Sequence, residues 1–304
     1  MISHPLTGVY AAAITPLNED YSIDFSAVTP LLDRLARRGC HGALILGTTG
    51  EGPSFSPDER IALCKAALQV RQTRPDFKLL AGTGTPSLNE TVSLTKAAFE
   101  LGFDGVATLP PYYFRKASDE GLFAWFGEVL KRAVPTNGAF FGYHIPSVSG
   151  VSLSLDLLAR LKDAFPDRFT GLKDSSADAD HAQALGRRFG NDLLIYSGTD
   201  SLFQSALAGG ASGCITALAN LTSPDLRKVW DAYLRGSEDT AAHERLLKAR
   251  AISDRYPPAS SLLKAIMARV EGYAHWPVRP PLMHLPNETI DKALAEFRQA
   301  ELLS

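Results

Sequence analysis

Short apolar runs that alternate with helical patterns predict an α/β fold, a (β/α)8 TIM barrel with a C-terminal helical extension. About eight β-then-α units fit into the chain before residue 234. The strand-like runs are apolar throughout, which indicates strands buried on both faces. The competing fold is an open doubly wound sheet, but no GxGxxG fingerprint follows the first strand, and the GTG at residues 82–84 is too short a match.

The predicted elements follow one another in a regular order. The runs that predict strands are residues 8–15, 42–46, 78–81, 105–109, 139–143, 169–173, 193–196 and 211–215. The helical patterns among them are residues 25–38, 57–71, 88–101, 118–133, 155–164, 177–189 and 200–208. Apolar residues from Val28 to Leu35 recur at helical spacing. Ser56 before Pro57 predicts a helix start, and Gly102 predicts a helix end.

The tail of the chain changes character. From residue 222 onward it contains only helical patterns, at residues 225–234, 240–255, 260–271 and 288–302. Proline-containing segments at residues 256–258 and 276–286 interrupt them. We therefore expect a barrel that carries the active site over residues 1–234, and a helical extension packed on it over residues 235–304.

Composition excludes several classes of protein. The chain has 304 residues, of which 21% are charged, and a formal net charge of −2, so we expect no nucleic-acid or membrane surface. Residues 1–5 lack the basic and apolar regions of a signal peptide, and no apolar run reaches the roughly 18 residues of a membrane span. Cys40, Cys64 and Cys214 have neither metal-ligand nor redox spacing. They predict reduced, buried thiols in a cytoplasmic protein.

Lys173 is the first candidate for chemistry, in the run FTGLKDSS at residues 169–176. It stands at the end of a predicted strand, where active sites of such barrels form. Shielding from water disfavours an ammonium, and a neutral amine can attack a carbonyl to form a Schiff base. Taken alone, a solvated surface lysine is the commoner case. The interpretation therefore depends on what the other strand ends carry.

Other strand ends also carry polar residues. After the second strand, GTTGEG at residues 47–52 offers two hydroxyls and exposed N–H groups, which suit a carboxylate, although a tight turn is the alternative. Tyr112 and Tyr113 follow the fourth strand as a proton relay or a packing cluster. Tyr143 and His144 end the fifth strand. Adjacent strand residues point to opposite faces, so if Tyr143 points into the barrel mouth, His144 does not.

Three motifs together are more specific than any one of them. GTTGE follows the second strand, YxxP the fifth and GxKD the sixth, at residues 47–51, 143–146 and 171–174. In order and spacing they resemble the N-acetylneuraminate lyase / dihydrodipicolinate synthase family. The resemblance covers the whole chain, including the helical tail.

The resemblance implies a class I, Schiff-base-forming aldolase of the pyruvate type, usually tetrameric. Lys173 matches the amine that forms the imine with a 2-oxo acid, and Tyr143 matches the acid/base phenol. Thr48 and Thr49 match the threonines that hold the pyruvyl carboxylate and help to relay protons. Tyr113 matches a relay tyrosine that in many members reaches the neighbouring subunit's site. Such chemistry needs neither a metal nor an organic cofactor, and the sequence offers no metal-ligand cluster.

Four further positions are candidates for substrate binding. Ser175 matches a position where sugar-acid aldolases place a hydroxyl toward the substrate. The backbone at Ile215 matches a substrate-contacting position. Gly198 and Asp200, at the end of the seventh strand, could bind substrate hydroxyls or belong to a helix cap.

Departures from the family pattern narrow the substrate. Authentic dihydrodipicolinate synthases carry an arginine two residues past the YxxP proline, where this chain has Val148, and an apolar residue cannot replace a bidentate guanidinium. Sialic acid lyases typically carry a glutamate where Ser201 follows Asp200. His144 replaces the usual asparagine. These features favour a lyase that reversibly cleaves a 2-keto-3-deoxy sugar acid or another 4-hydroxy-2-oxo acid to pyruvate and an aldehyde.

Three alternatives stay open. One is a dihydrodipicolinate synthase that condenses pyruvate with aspartate semialdehyde, and another is a sugar-acid dehydratase that uses the same imine. The third, from a different class, is a silent sugar-acid-binding barrel, although a protein that only binds needs no reactive amine. In each case the expected partner is a small 2-oxo acid or sugar acid, and the family implies a homotetramer arranged as a dimer of dimers.

Overall fold

Parallel strands close into a barrel, as predicted. The computed structural model describes residues 4–303, so Ser304 and the first three residues, on which the signal-peptide prediction partly rests, lie outside the described residues. The strands are β1 (Gly8–Ala12), β2 (Gly42–Ile45), β3 (Lys78–Gly82), β4 (Gly105–Thr108), β5 (Phe140–His144), β6 (Phe169–Asp174), β7 (Leu194–Ser197) and β8 (Gly213–Thr216). Within residues 4–303 these eight strands pair in chain order, and β8 closes against β1.

The strands are buried on both faces, which explains their continuous apolar character. Phe141 and Tyr196 belong to the cluster that fills the barrel interior. Phe140 and Ile195, one position earlier on each strand, pack in the larger core between strands and helices. Successive strand residues face opposite sides, so Tyr143 shares the inward side of Phe141.

Helices surround the barrel and form the tail. Within the described residues they are α1 (Phe25–Arg37), α2 (Pro57–Ala67), α3 (Leu88–Glu100), α4 (Asp119–Ala133), α5 (Pro146–Ser149), α6 (Leu155–Ala164), α7 (Ala179–Phe189), α8 (Phe203–Ala208), α9 (Ala219–Leu234), α10 (Thr240–Ser253), α11 (Ala259–Glu271) and α12 (Asn287–Gln299). The predicted start of α2 is confirmed, because Ser56 and Glu59 form a reciprocal capping box. The short helix α5 was not predicted.

The helices after α9 are attached to the barrel by a second apolar core. Ile14 and Leu218, near the ends of β1 and β8, join Leu263 and Ile266 of α11 and Phe297 of α12 in this cluster. Burial of these apolar surfaces stabilises the attachment. The boundary between residues 234 and 235 stays a prediction. Among residues 4–303, no helix is long and apolar enough to cross a membrane.

Candidate active site

Lys173 and Tyr143 lie side by side at the carboxyl ends of β6 and β5. They are partners in the register of these strands, and both side chains are buried. Lys173 Nζ lies 4.0 Å from the centroid of the Tyr143 ring. The inward side of the strands places both groups at the barrel mouth, where barrel active sites form. The structure therefore brings together the amine and the phenol that the sequence singled out.

Thr48 joins this pair from the end of β2. Its Oγ1 lies 3.1 Å from the Tyr143 hydroxyl oxygen, and either atom can donate the hydrogen bond. The turn is closed by the Glu51 N–H, which donates to the Thr48 carbonyl oxygen at 3.1 Å. Thr49, the next residue in the turn, is half-buried. Amine, phenol and hydroxyl thus form one connected group at the ends of three strands, from β6, β5 and the turn after β2.

The surroundings of Tyr143 make its phenol easier to ionise than a free phenol. Burial opposes ionisation of the phenol, but the charge of Lys173 and hydrogen bonding with Thr48, Lys173 and Ser175 outweigh it. The pKa of Tyr143 is therefore lowered from its usual value of 10.0. A phenol whose pKa lies nearer to neutral pH can both accept and return a proton during a reaction.

Gly198 and Ser175 meet where β6 and β7 end. A Cβ at Gly198 would lie 2.0 Å from Ser175 Oγ and 2.7 Å from the Asp174 carbonyl oxygen, so a side chain does not fit there. The Gly198 N–H donates to the same Asp174 carbonyl oxygen at 2.6 Å. Ser175 also helps to lower the pKa of Tyr143. Substrate contact by Gly198 and Ser175 stays a prediction, with Ser175 next to the catalytic candidates.

Asp200 and Ile215 are enclosed by protein. Asp200 is fully buried, and the Arg250 guanidinium of α10 lies 3.7 Å from its Oδ2. Burial raises the pKa of this carboxyl, against the opposing effects of the Thr216 hydroxyl and the Arg250 charge. Ile215 pairs with Tyr10 in the β1–β8 register, and its side chain packs in the barrel interior. Their predicted substrate contacts therefore stay predictions, and the Asp200 side chain faces the extension.

Tyr113 stands apart from the site within one chain. It is 76% exposed and packs edge-to-face on Phe114, itself 68% exposed, with ring centroids 5.3 Å apart. A relay role for Tyr113 would require it to reach the site of another copy of the chain.

Three possible metal ligands meet on the outer side of the barrel. They are His144, Asp174 and His181, and each offers one ligand atom that lies within 4.8 Å of the other two. The sequence did not reveal this group, because its members come from β5, β6 and α7. His144 Nδ1 accepts the Leu153 N–H at 3.0 Å, which places the proton of a neutral ring on Nε2. Burial and the nearby His181 lower the pKa of His144 to about 4, which keeps the ring neutral, but its one unprotonated nitrogen already accepts the Leu153 N–H, so the ring suits a metal poorly.

Comparisons with known proteins identify the family. A family model described as the dihydrodipicolinate synthetase family matches residues 5–300. The chain is 36% identical to an uncharacterized DapA-like lyase of Chloroflexus aurantiacus over 96% of each chain. It is 33% identical to a 4-hydroxy-tetrahydrodipicolinate synthase of a Synechococcus species over 97% of this chain and 96% of the relative.

Solved structures agree with the sequence relatives. A crystal structure of dihydrodipicolinate synthase from Agrobacterium tumefaciens matches with a TM-score of 0.87 and 29% identity, over 97% of this chain and 99% of that one. This confirms the barrel with its helical tail and the resemblance stated from the three motifs. The chain belongs to the dihydrodipicolinate synthetase family, whose members are carbon–carbon lyases of the class I, pyruvate-aldolase type.

Proposed function

We propose that this chain is a Schiff-base lyase that reversibly cleaves a 2-keto-3-deoxy sugar acid or another 4-hydroxy-2-oxo acid to pyruvate and an aldehyde. The observation that carries the proposal is the connected group at the barrel mouth. Lys173 Nζ lies 4.0 Å from the Tyr143 ring, and Thr48 Oγ1 lies 3.1 Å from the Tyr143 hydroxyl. A nucleophilic amine, a phenol that moves a proton and a hydroxyl that relays it are the groups this reaction needs.

In the proposed reaction, Lys173 Nζ attacks the C2 carbonyl of the substrate, and loss of water gives an iminium. Tyr143 accepts the proton of the C4 hydroxyl while the C3–C4 bond breaks. The electron pair of that bond passes into the iminium, which leaves an enamine on Lys173 and releases the aldehyde. Protonation of C3 and hydrolysis of the imine then release pyruvate. Thr48 and Thr49 hold the carboxylate and relay protons in these steps.

The residues around the site support a hydroxylated substrate. Val148, in the short helix α5 after β5, is 57% exposed and apolar, so it offers no cation for a second carboxylate. The Ser175 hydroxyl, by contrast, belongs to the polar group around Tyr143. A dehydratase that acts on the same acids would share the imine, and its product would retain all the carbon atoms.

We also propose that the chain acts as a cytoplasmic homotetramer, a dimer of dimers. Its three cysteines are buried and unpaired in the structure, which fits a reducing compartment. The exposure of Tyr113 and Phe114 supports a contact between copies of the chain. A small 2-oxo acid is the proposed substrate of each subunit.

Borohydride trapping with pyruvate tests the proposed function. We expect a stable adduct, located on Lys173 by peptide mass spectrometry, because reduction makes the imine permanent. Lys173→Ala should retain the fold, lose the adduct and lower kcat on a 2-keto-3-deoxy acid by on the order of 10⁴-fold or more. An absent adduct on the folded wild type, or turnover retained by the variant, would contradict the mechanism and favour a silent binding barrel.

A second candidate function is that of dihydrodipicolinate synthase. It is favoured by the name of the Synechococcus relative, which is 33% identical. Val148→Arg introduces a cation at this position. We expect it to raise the rate of condensation of pyruvate with aspartate semialdehyde by about tenfold, since a bidentate guanidinium binds a carboxylate. Val148→Gln is the uncharged control. Efficient condensation by the wild type, unchanged in Val148→Arg, would favour the synthase over the sugar-acid lyase.

A further inference from the structure

A buried ion pair attaches the turn that carries Thr48 to the helical extension. Lys264 Nζ, in α11, donates to Glu51 Oε1 at 2.5 Å and to the Pro277 carbonyl oxygen at 2.6 Å. The Arg279 N–H donates to the other carboxylate oxygen of Glu51 at 2.7 Å. The side chains of Lys264 and Glu51 are 1% and 0% exposed. Glu51 of the barrel turn is therefore held from two points of the extension, and Pro277 in turn fixes the Lys264 ammonium.

The backbone of the same turn is in an unfavourable conformation. Glu51 has φ 58°, in the left-handed region, and so does Leu46 at the start of the turn. Residues other than glycine persist there only when their surroundings determine the backbone. The Glu51 N–H also closes the turn on the Thr48 carbonyl oxygen, so the residue whose carboxylate contacts the extension is bonded through its backbone to Thr48.

Stability alone does not explain a charged pair at this place. Burial lowers the pKa of Lys264, and the charge of Glu51 opposes that shift. Taking two charges out of water is costly, and apolar residues of similar volume often stabilise a core equally well. Directional hydrogen bonds, however, define a geometry that apolar packing does not.

We infer that Lys264 and Glu51 are positioning residues, through which the helical extension sets the turn that binds the carboxylate of the 2-oxo acid. The pair holds the turn so that Thr48 meets the Tyr143 hydroxyl and Thr49 meets the substrate. This inference rests on the proposed function and extends it, since it makes carboxylate binding depend on residues 213 positions apart. A displacement of about 1 Å in a catalytic group can cost on the order of 10²-fold in rate.

The test is borohydride trapping at Lys173 as a function of pyruvate concentration, in the full-length protein. Lys264→Met leaves the Glu51 carboxylate buried and unpaired, so we expect lower stability and an approximately tenfold higher pyruvate concentration for half-maximal trapping. The double variant Glu51→Gln Lys264→Met removes both charges. We expect its stability to recover while the half-maximal pyruvate concentration stays raised by about tenfold.

A second ion pair between barrel and extension serves as the matched control. Arg34 of α1 pairs with Glu271 at the end of α11, and it also donates to the Asn220 carbonyl oxygen at 2.8 Å. This pair anchors the same helix, but its hydrogen bonds join Arg34 to Glu271 and Asn220 rather than to the turn at residues 47–52. Glu271→Gln should therefore lower stability without changing the pyruvate dependence of trapping.

The outcomes separate the inference from the proposed function. A folded double variant whose trapping depends on pyruvate as in the wild type would overturn the positioning role. The double variant gives this test even if the single variant Lys264→Met does not fold. A pyruvate dependence that is equally altered in Glu271→Gln would also overturn it. Absence of trapping in the wild type would instead contradict the proposed function. In that case a crystal structure of the double variant would test the inference. An unchanged contact between Thr48 and Tyr143 in that structure would contradict it.

Discussion

The loops after β2 and β4 both carry predicted site residues, but the chain holds them in opposite ways. The turn after β2 is closed on itself, keeps Thr48 3.1 Å from the Tyr143 hydroxyl and is tied to α11 through Glu51. The loop after β4 leaves Tyr113 76% exposed, packed against Phe114, which is 68% exposed. The comparison teaches that contacts within one chain suffice to place Thr48, whereas the contacts among residues 4–303 leave the Tyr113 ring on the surface.

The largest effect on kcat among these tests of the two loops should come from the turn after β2, which carries Thr48. Thr48→Val keeps the shape of the side chain and removes the hydroxyl that meets Tyr143, so we expect kcat to fall by about 10²-fold. The double variant Thr48→Val Tyr143→Phe should have the same kcat as Tyr143→Phe alone, because the two groups act as one relay. Steady-state kinetics of the three variants check this. Losses that multiply in the double variant would show that Thr48 acts independently of Tyr143.

A smaller effect should separate the two loops by stability. A Cβ at Gly52 would lie 2.0 Å from the Leu46 carbonyl oxygen, so Gly52→Ala should destabilise the fold by roughly 1–3 kcal/mol. Phe114→Ala in the exposed loop should change the stability of the isolated subunit by less than about 0.5 kcal/mol. Urea denaturation at low protein concentration measures both. Equal losses would contradict the contrast between a tied and an exposed loop.

The smallest effect, about tenfold in kcat, should come from Tyr113→Phe, which removes one relay hydroxyl. Mixing this variant with Lys173→Ala tests whether Tyr113 crosses between subunits. If it does, random reassociation creates hybrid dimers with one intact site, and activity should recover to about a quarter of the wild type. Phe114→Leu mixed with Lys173→Ala is the control. Activity that equals the average of the two parent proteins would place Tyr113 outside any shared site.

Much of the fold and the centre of the site could be predicted from local patterns. Strand ends follow from apolar runs, and Lys173 and Tyr143 are the polar residues at two of those ends, so the barrel brings them together. Element boundaries were less accurate: the helix predicted over residues 57–71 ends as α2 at Ala67 and continues as a 3₁₀ turn over Leu68–Gln72. Such an end depends on local hydrogen bonding that periodicity does not record.

The sequence by itself determined the barrel, its order of strands, the family and the amine–phenol pair. These features follow from patterns within a few residues and from motifs of fixed spacing. Tertiary structure alone decided that Glu51 meets Lys264, that Asp200 faces Arg250 and that Tyr113 stays exposed. The physical reason is that the two ion pairs depend on how the helical extension packs on the barrel, and the exposure of Tyr113 on how the loop after β4 lies. Hydrophobic patterning selects which face of a helix is buried, but not which distant charge it meets there.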